Sequence, residues 1–195
     1  SEMCIRDSPW VTHPNKYSWS TYGFAARVKR WLYCMNQRRL MKAAHAFITQ
    51  TETTKKGIMR VTGKPTEKVC VVSNVLPGVF KTMDTTPIRE DNWINVACVG
   101  NPVPHKNFDI LPVVLLELRN LGVENVRFHT TIPFDHPLSN KLEKQLMEMG
   151  MMENWKNHGR VSQKELGAMY QRCQLCFLPT LLEVFSASTV EAMFF

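Results

Sequence analysis

The chain has 195 residues, 44% of them hydrophobic and 21% charged, which is enough apolar content for the core of one large domain or parts of two. No apolar run approaches the roughly 20 residues that span a bilayer and no basic-then-apolar leader opens the sequence, so neither a helical anchor nor secretion is expected. The net charge of +7 is uneven: residues 1–84 hold 14 Lys or Arg against 5 Asp or Glu, whereas residues 85–195 hold 10 against 12.

The opening "SEMCIRDSPW" has no periodicity and receives no element. From about Tyr22 to Ala44 apolar residues recur at helical spacing through Phe24, Val28, Trp31, Leu32, Met35 and Leu40. "AHAFITQ" reads as a short buried strand, and "TETTKKGIMRVTG" as a helix opened by a threonine cap and closed at Gly63. "KVCVVSN" is a β-branched strand followed by the turn "LPG". The polar, proline-bearing segment 82–92 coincides with the change of charge and is the candidate linker. Beyond it the spacing predicts strands at "WINVACVG", "NVRFHT", "WKNHG" and "LCFLP". Helices are predicted at Phe108–Leu121, Pro137–Met149 and "SQKELGAMYQRC", and another from Phe185 or Ser188 onward. Strands alternating with helices of this length predict an α/β fold, a Rossmann-like parallel sheet with helices on both faces.

Six cysteines stand at 4, 34, 70, 98, 173 and 176. Cys70 and Cys98 lie in apolar strand-like runs, where a free thiol packs as a small hydrophobe. A lone C-x-x-C at Cys173 and Cys176 cannot complete a four-ligand zinc site, so core packing is expected for both. Reduced thiols suit a cytoplasmic chain. The six histidines share no metal-ligand spacing, and no metal is expected.

In a parallel α/β sheet, ligands bind beyond the carboxyl ends of the strands. Three loops leave strand ends in this way, "GNPVPHKN" (100–107), "GRVS" (159–162) and "PTLLEVFSAS" (179–188). In the last of these, small residues precede a helix whose first amides are a ready phosphate site. Glu183 and Glu191 flank it as acceptors for sugar or ribose hydroxyls. Phosphate at the amides with hydroxyls on either side describes a nucleotide sugar. The structural alternatives are that Ser188-x-x-Glu191 is a capping box and Glu183 an exposed loop acid. Lys106, read as starting the helix after the Gly100 loop, opposes the helix dipole unless an anion sits there. It is therefore either a diphosphate clamp or a solvated lysine. The reading rests on a helix start near residue 186 facing Lys106 across a shared cleft.

The order of these pieces resembles the retaining family-4 glycosyltransferases of the GT-B fold (glycosyl transferases group 1). "LPTLLEVFSASTVEAM" resembles that family's E-x7-E signature, and "VACVGNPVPHKNFDILPVVLLELRNLG" its strand, glycine loop, lysine and helix. "HGRVSQKELGAMYQRCQLCFLP" is similar to the segment between them, and "AHAFITQTETTKKGIMRVTGKPTEKVCVVSNVLPGVF" to the end of the first domain and the crossover. The match covers roughly residues 40–195. It implies an incomplete GT-B protein, with residues 1–84 the C-terminal part of the acceptor (N-terminal) domain and residues 85–195 a truncated nucleotide-sugar donor domain. It implies that Lys106 neutralises the diphosphate and Glu183 contacts the donor sugar, the two catalytic assignments. Donor binding would fall to Gly100, Asn101, Arg160, Val161, Phe185, Ser186, Ala187 and Glu191, with the backbone near Arg160 and Val161 bordering the base and Glu191 on the ribose.

The implied reaction moves a sugar from a nucleotide-diphosphate sugar to a glycan or lipid-linked acceptor with retention, without a cofactor or metal. Departures are Asn101, where the family usually has arginine, and "EVFS" in place of "EGFG". The family's usual catalytic histidine is absent, so an internal fragment with weak donor binding and no turnover alone is expected. The basic first part allows contact with an anionic membrane at its inner face. Alternatives are an epimerase of the same architecture and a nucleic-acid module built on residues 27–42. The latter shows no recognisable motif, and no nucleic acid is expected.

Overall fold

The computed structural model describes residues 2–4, 9–14, 19–89, 91–183 and 185–195. The chain divides into two units, one of residues up to Val75 together with Leu181–Ser186, the other of Leu76–Thr180 together with Ala187–Phe195. The polar segment 82–92 falls inside the second unit and is fastened there. The Ile88 amide donates to the Gln171 carbonyl at 2.8 Å, and Gln171 Nε2 donates to the Asp84 carbonyl at 2.6 Å.

In the first unit β1 (Glu2–Cys4), β2 (Ala46–Thr49) and β3 (Val69–Val71) form a parallel sheet in that order. The strand β1 lies in the stretch to which sequence assigned nothing. Three residues carry no readable period, and their extended state follows from pairing Glu2 with Ala46 and Cys4 with Ile48. Among the helices that accompany the sheet in the described residues are α1 (Pro9–Thr12), α2 (Phe24–Ala43) and α3 (Glu52–Thr62). Val11, Met41, Phe47, Ile58, Val69 and Leu182 meet in the core. Gly57 lets α3 approach α1, since a Cβ there would lie 2.7 Å from Thr12 Cβ and from His13 Cε1.

The ends of α3 are those expected. The Thr51 side chain accepts from the Thr54 amide at 3.1 Å, and Gly63 turns left-handed at φ 71°, its amide donating to Met59. Thr51→Ala removes an amide partner at the helix start and is expected to cost about 1 kcal/mol. A lowered urea midpoint with unchanged slope, largely restored in Thr51→Ser, is the measurement. Cys70 is exposed rather than packed. Side chains alternate along β3 and Val69 takes the core side, so Cys70 faces the other way with Ile48, 38% exposed.

The second unit contains α4 (Gly78–Lys81), β4 (Ile94–Cys98), α5 (Leu111–Asn120), β5 (Val126–Thr130), α6 (Pro137–Glu148), β6 (Trp155–Asn157), α7 (Gln163–Arg172), β7 (Leu175–Cys176) and α8 (Ala187–Phe194). Its sheet has the order β6-β5-β4-β7 with every neighbouring pair parallel. Alternation along β4 builds both faces. Val96 and Cys98 join Phe108, Leu111, Leu115, Phe128, Leu142 and Leu146 on one side, while Ala97 packs with Met169 and Tyr170, flanked by Val99, Ala192 and Phe195, on the other. The final residue is docked, the Phe195 ring lying 5.5 Å from that of Phe80 and 6.1 Å from that of Tyr170. Among the described residues no helix is long and apolar enough to cross a membrane.

Candidate functional site

Because β4, β6 and β7 run parallel in one sheet, the loops following them leave by the same edge. Two of these loops touch, since Thr180 Oγ1, just beyond β7, donates to the His105 carbonyl beyond β4 at 3.3 Å. A cavity of about 480 Å³ lies at the opposite, amino-terminal edge, lined by Trp93, Arg119, Glu124, Asn125, Met151 and Asn154 among others. That is the wrong end of the strands for the ligand site of such a sheet.

Lys106 does not start a helix. It closes a 3-10 turn, Pro104–Lys106, after which Asn107 is left-handed at φ 59° and a second turn, Phe108–Ile110, leads into α5 at Leu111. Pro104 sits at the start of the first turn, and an α-helix cannot run through a left-handed residue. The unfavourable meeting of a lysine with a helix dipole is therefore removed. Lys106 is half-buried in the loop that Thr180 touches. Upstream, Asn101 is exposed and its carbonyl accepts from the Val103 amide at 2.8 Å. Gly100 is half-buried, and a Cβ there would meet the Phe108 ring at 3.6 Å, an ordinary contact.

The loop after β6 is held by a side chain that sequence reading passed over. Asn157 Oδ1 accepts from Thr130 Oγ1 at 3.1 Å, the Ile132 amide at 3.0 Å and the Gly159 amide at 3.3 Å. Its Nδ2 donates to the Ile132 carbonyl at 2.8 Å and Ser139 Oγ at 3.1 Å. Gly159 follows at φ 66°, where any Cβ would fall 2.4 Å from the Phe134 ring, so the turn requires glycine. Arg160 is exposed and Val161 half-buried. Ser162 then caps α7 in a capping box, accepting from the Glu165 amide while Glu165 accepts from the Ser162 amide at 2.7 Å.

Next to this loop lies a polar relay that runs from exposed Asp91 through buried Asn95 and His129 to half-buried His158. Asn95 Nδ2 donates to Asp91 Oδ1 at 3.1 Å, which leaves Asn95 Oδ1 to accept from His129 Nε2 at 2.8 Å. His129 Nδ1 must then accept the proton of His158 Nε2, 2.9 Å away. Burial, seconded by His158 and then by Lys156 and Arg127, pushes the His129 pKa down to about 4. Burial, with Lys156 and Arg172, lowers that of His158 as well.

Glu191 is not part of a capping box. The helix α8 begins at Ala187, so Ser188 lies inside it, and Glu191 Oε2 instead accepts from the Tyr170 hydroxyl at 3.3 Å. Burial raises the Glu191 carboxyl above the usual range, against the opposing hydrogen bond from Tyr170. Burial, then Glu191, raises Tyr170. Cys173 is half-buried and pushed up to about 12 by burial, whereas Cys176 is exposed. Core packing thus fails for Cys176, because β7 is a two-residue strand at the sheet's edge.

Glu183 is exposed, Phe185 and Ser186 are half-buried, and all three belong with the first unit, in whose core Leu182 is buried. Ala187, exposed, opens α8 in the second. Val184 of the "EVFS" stretch lies outside the described residues. Within the second unit, then, the Lys106 loop is joined to the loop after β7, and Glu191 is joined to Tyr170. Among the described residues no three His, Cys, Asp or Glu side chains cluster as metal ligands. Asn157, Tyr170 and the histidine pair were not singled out by sequence. Asn-His-Gly after a strand is a turn signal that could have marked the first.

No family model matches the chain, and no curated protein matches it in sequence. Solved structures do match in fold. TarM from S. aureus is 17% identical with a TM-score of 0.63, over 81% of this chain and 30% of TarM. HepE from Anabaena, in complex with UDP and glucose, is 16% identical with a TM-score of 0.61, over 99% of this chain and 50% of HepE. WaaG, a glycosyltransferase involved in lipopolysaccharide biosynthesis, is 15% identical with a TM-score of 0.61, over 92% of this chain and 51% of WaaG. The chain thus spans half or less of the length of each of these structures, apart from the marginally larger share of WaaG. The fold is the Rossmann-like α/β fold of GT-B glycosyltransferases.

Proposed function

We propose that the chain is part of a retaining glycosyltransferase of family-4 type, moving a sugar from a nucleotide-diphosphate sugar to a glycan or lipid-linked acceptor. The observation that carries this reading is the junction of the Gly100–Lys106 loop with the loop after β7 through Thr180 and His105, at the edge where a parallel sheet takes its ligand. Neighbours of the same fold that bind UDP or UDP-glucose support it.

Lys106, seconded by Arg160, meets the negative charge growing on the departing diphosphate, together with the amides at the start of α8. Fixed charges and dipoles of this kind lower a barrier because they need no reorganisation as charge develops, and they do here the work that a metal ion does elsewhere. Glu183 takes the donor sugar hydroxyls, with Phe185, Ser186 and Ala187 at the sugar and phosphate. Glu191, one oxygen held by Tyr170, offers the other to the ribose diol. Gly100 and Asn101 border the diphosphate, and Arg160 and Val161 the base.

Calorimetry of the chain with UDP, GDP and ADP is the test. One of the three is expected to bind, and Lys106→Ala to weaken it roughly tenfold, as for one lost charge-assisted contact. Binding of none of them, or binding indifferent to Lys106, sinks the reading.

A further inference from the structure

We infer that Tyr170 is a positioning residue: it fixes the Glu191 carboxylate for a ribose, and so makes the site prefer a ribonucleoside diphosphate to its 2′-deoxy counterpart. The inference rests on the sugar-transfer reading, in which Glu191 takes the ribose diol. Tyr170 itself has little freedom. It is 3% exposed on α7, packed with Met169 against Ala97 of β4, and its ring stacks on that of Phe195 at 6.1 Å and 21°. Gly167 stands one turn before it. A Cβ there would come within 2.6 Å of Met83 Sδ and 3.0 Å of Phe195 Cζ, so α7 lies close against both. Packing of this density holds a side chain in one rotamer.

Glu191 is half-buried in the second turn of α8. A free glutamate turns about three side-chain bonds and loses that freedom when it grips a ligand. Here much of the loss is taken in folding, because Oε2 already accepts from the Tyr170 hydroxyl at 3.3 Å and Oε1 is left for a ligand. Ser188 stands three residues before Glu191, on the same face of α8, and bonds to the same phenol. Burial takes water from the carboxyl and raises its pKa, while the bond from Tyr170 opposes that rise and favours the ionised acceptor. A partly desolvated acceptor fixed in place gains from each hydroxyl offered to it. It also rejects an analogue that lacks one, since its own lone pairs then stay unpaired. Without the phenol the side chain turns to water and the rejection fades.

The test is calorimetry of the chain with UDP, GDP and ADP beside the 2′-deoxy form of each. The nucleotide that binds is expected to bind roughly tenfold more tightly as the ribonucleotide. Tyr170→Phe keeps the packed ring and is expected to cut that preference to about threefold or less, by weakening the ribo form alone. Glu191→Ala should abolish the preference, and adding Tyr170→Phe to it should change nothing further, because the tyrosine acts through the glutamate. With no ligand present, the Glu191 carboxyl followed by carbon NMR should titrate at higher pH in Tyr170→Phe than in wild type. An unchanged carboxyl titration overturns the inference. So does a preference that survives Tyr170→Phe, or an equal weakening of both forms, which makes the tyrosine a strut for α8. In those cases binding that still depends on Lys106 leaves the sugar-transfer reading standing. Binding of no nucleotide sinks both.

Discussion

Asn157→Leu is expected to cost about 3 kcal/mol of folding stability in chemical denaturation. The branching and heavy-atom count are kept, though two methyls are bulkier than the amide, and five hydrogen bonds disappear at once. Several of the groups left behind have no route to water: Thr130 and Ile132 are fully buried and Ser139 is 4% exposed. A buried donor or acceptor that loses its partner costs about 1–3 kcal/mol. Asn157 is itself half-buried, so some of the orphaned groups find solvent, which keeps the total from being the plain sum. Asn157→Asp preserves the accepting oxygen and loses the two donated bonds, and should fall between wild type and leucine. A loss below about 1 kcal/mol for the leucine variant would mean that the network adds little beyond what water supplies. The same substitution releases the Gly159 amide, so the His158–Val161 loop should also exchange its amide hydrogens faster.

The second large effect is on pH dependence. His129 has a pKa near 4 in the fold against about 6.5 in an unfolded chain. The unfolded chain binds the extra proton first, so folding favours the neutral ring. The stabilisation is complete above about pH 6.5 and is lost as pH falls from there toward 4. Linkage gives about 2 kcal/mol lost between pH 7 and pH 5 from this ring alone, and the lowered His158 acts in the same direction. Urea denaturation at both pH values is the measurement, with His129→Gln expected to flatten the slope. Two rings bonded through one shared proton cannot both charge without breaking that bond, which is why the effect belongs to the pair. Equal slopes in wild type and variant would place the proton uptake elsewhere.

Most of the second unit was legible because β4, β5 and the helices α5, α6 and α7 are long enough to show their periods, and in the first unit Thr51 and Gly63 mark the ends of α3 by side chain and by backbone handedness. What failed depended on register. Ser-x-x-Glu occurs twice, at Ser162 and at Ser188, and is a capping box only where the serine stands just outside the helix. The start of α8 at Ala187 puts Ser188 two residues past the capping position. Lys106 was misplaced because a single left-handed residue, Asn107, separates two tight turns, and asparagine is compatible with either handedness. The strand β1 and the exposure of Cys70 are set by which neighbours pair and pack, information that three residues do not carry. The histidine relay joins Asp91, Asn95, His129 and His158 across three elements, so no spacing along the chain announces it.

The path of the backbone between Thr180 and Ala187 has a practical consequence. The polypeptide leaves the second unit after residue 180, gives Leu182 to the first unit's interior, and re-enters to form α8. Severing the backbone between Val75 and Leu76 would not yield two autonomous halves. The leading piece would lack an interior leucine, and the trailing piece would carry that leucine on a stray excursion.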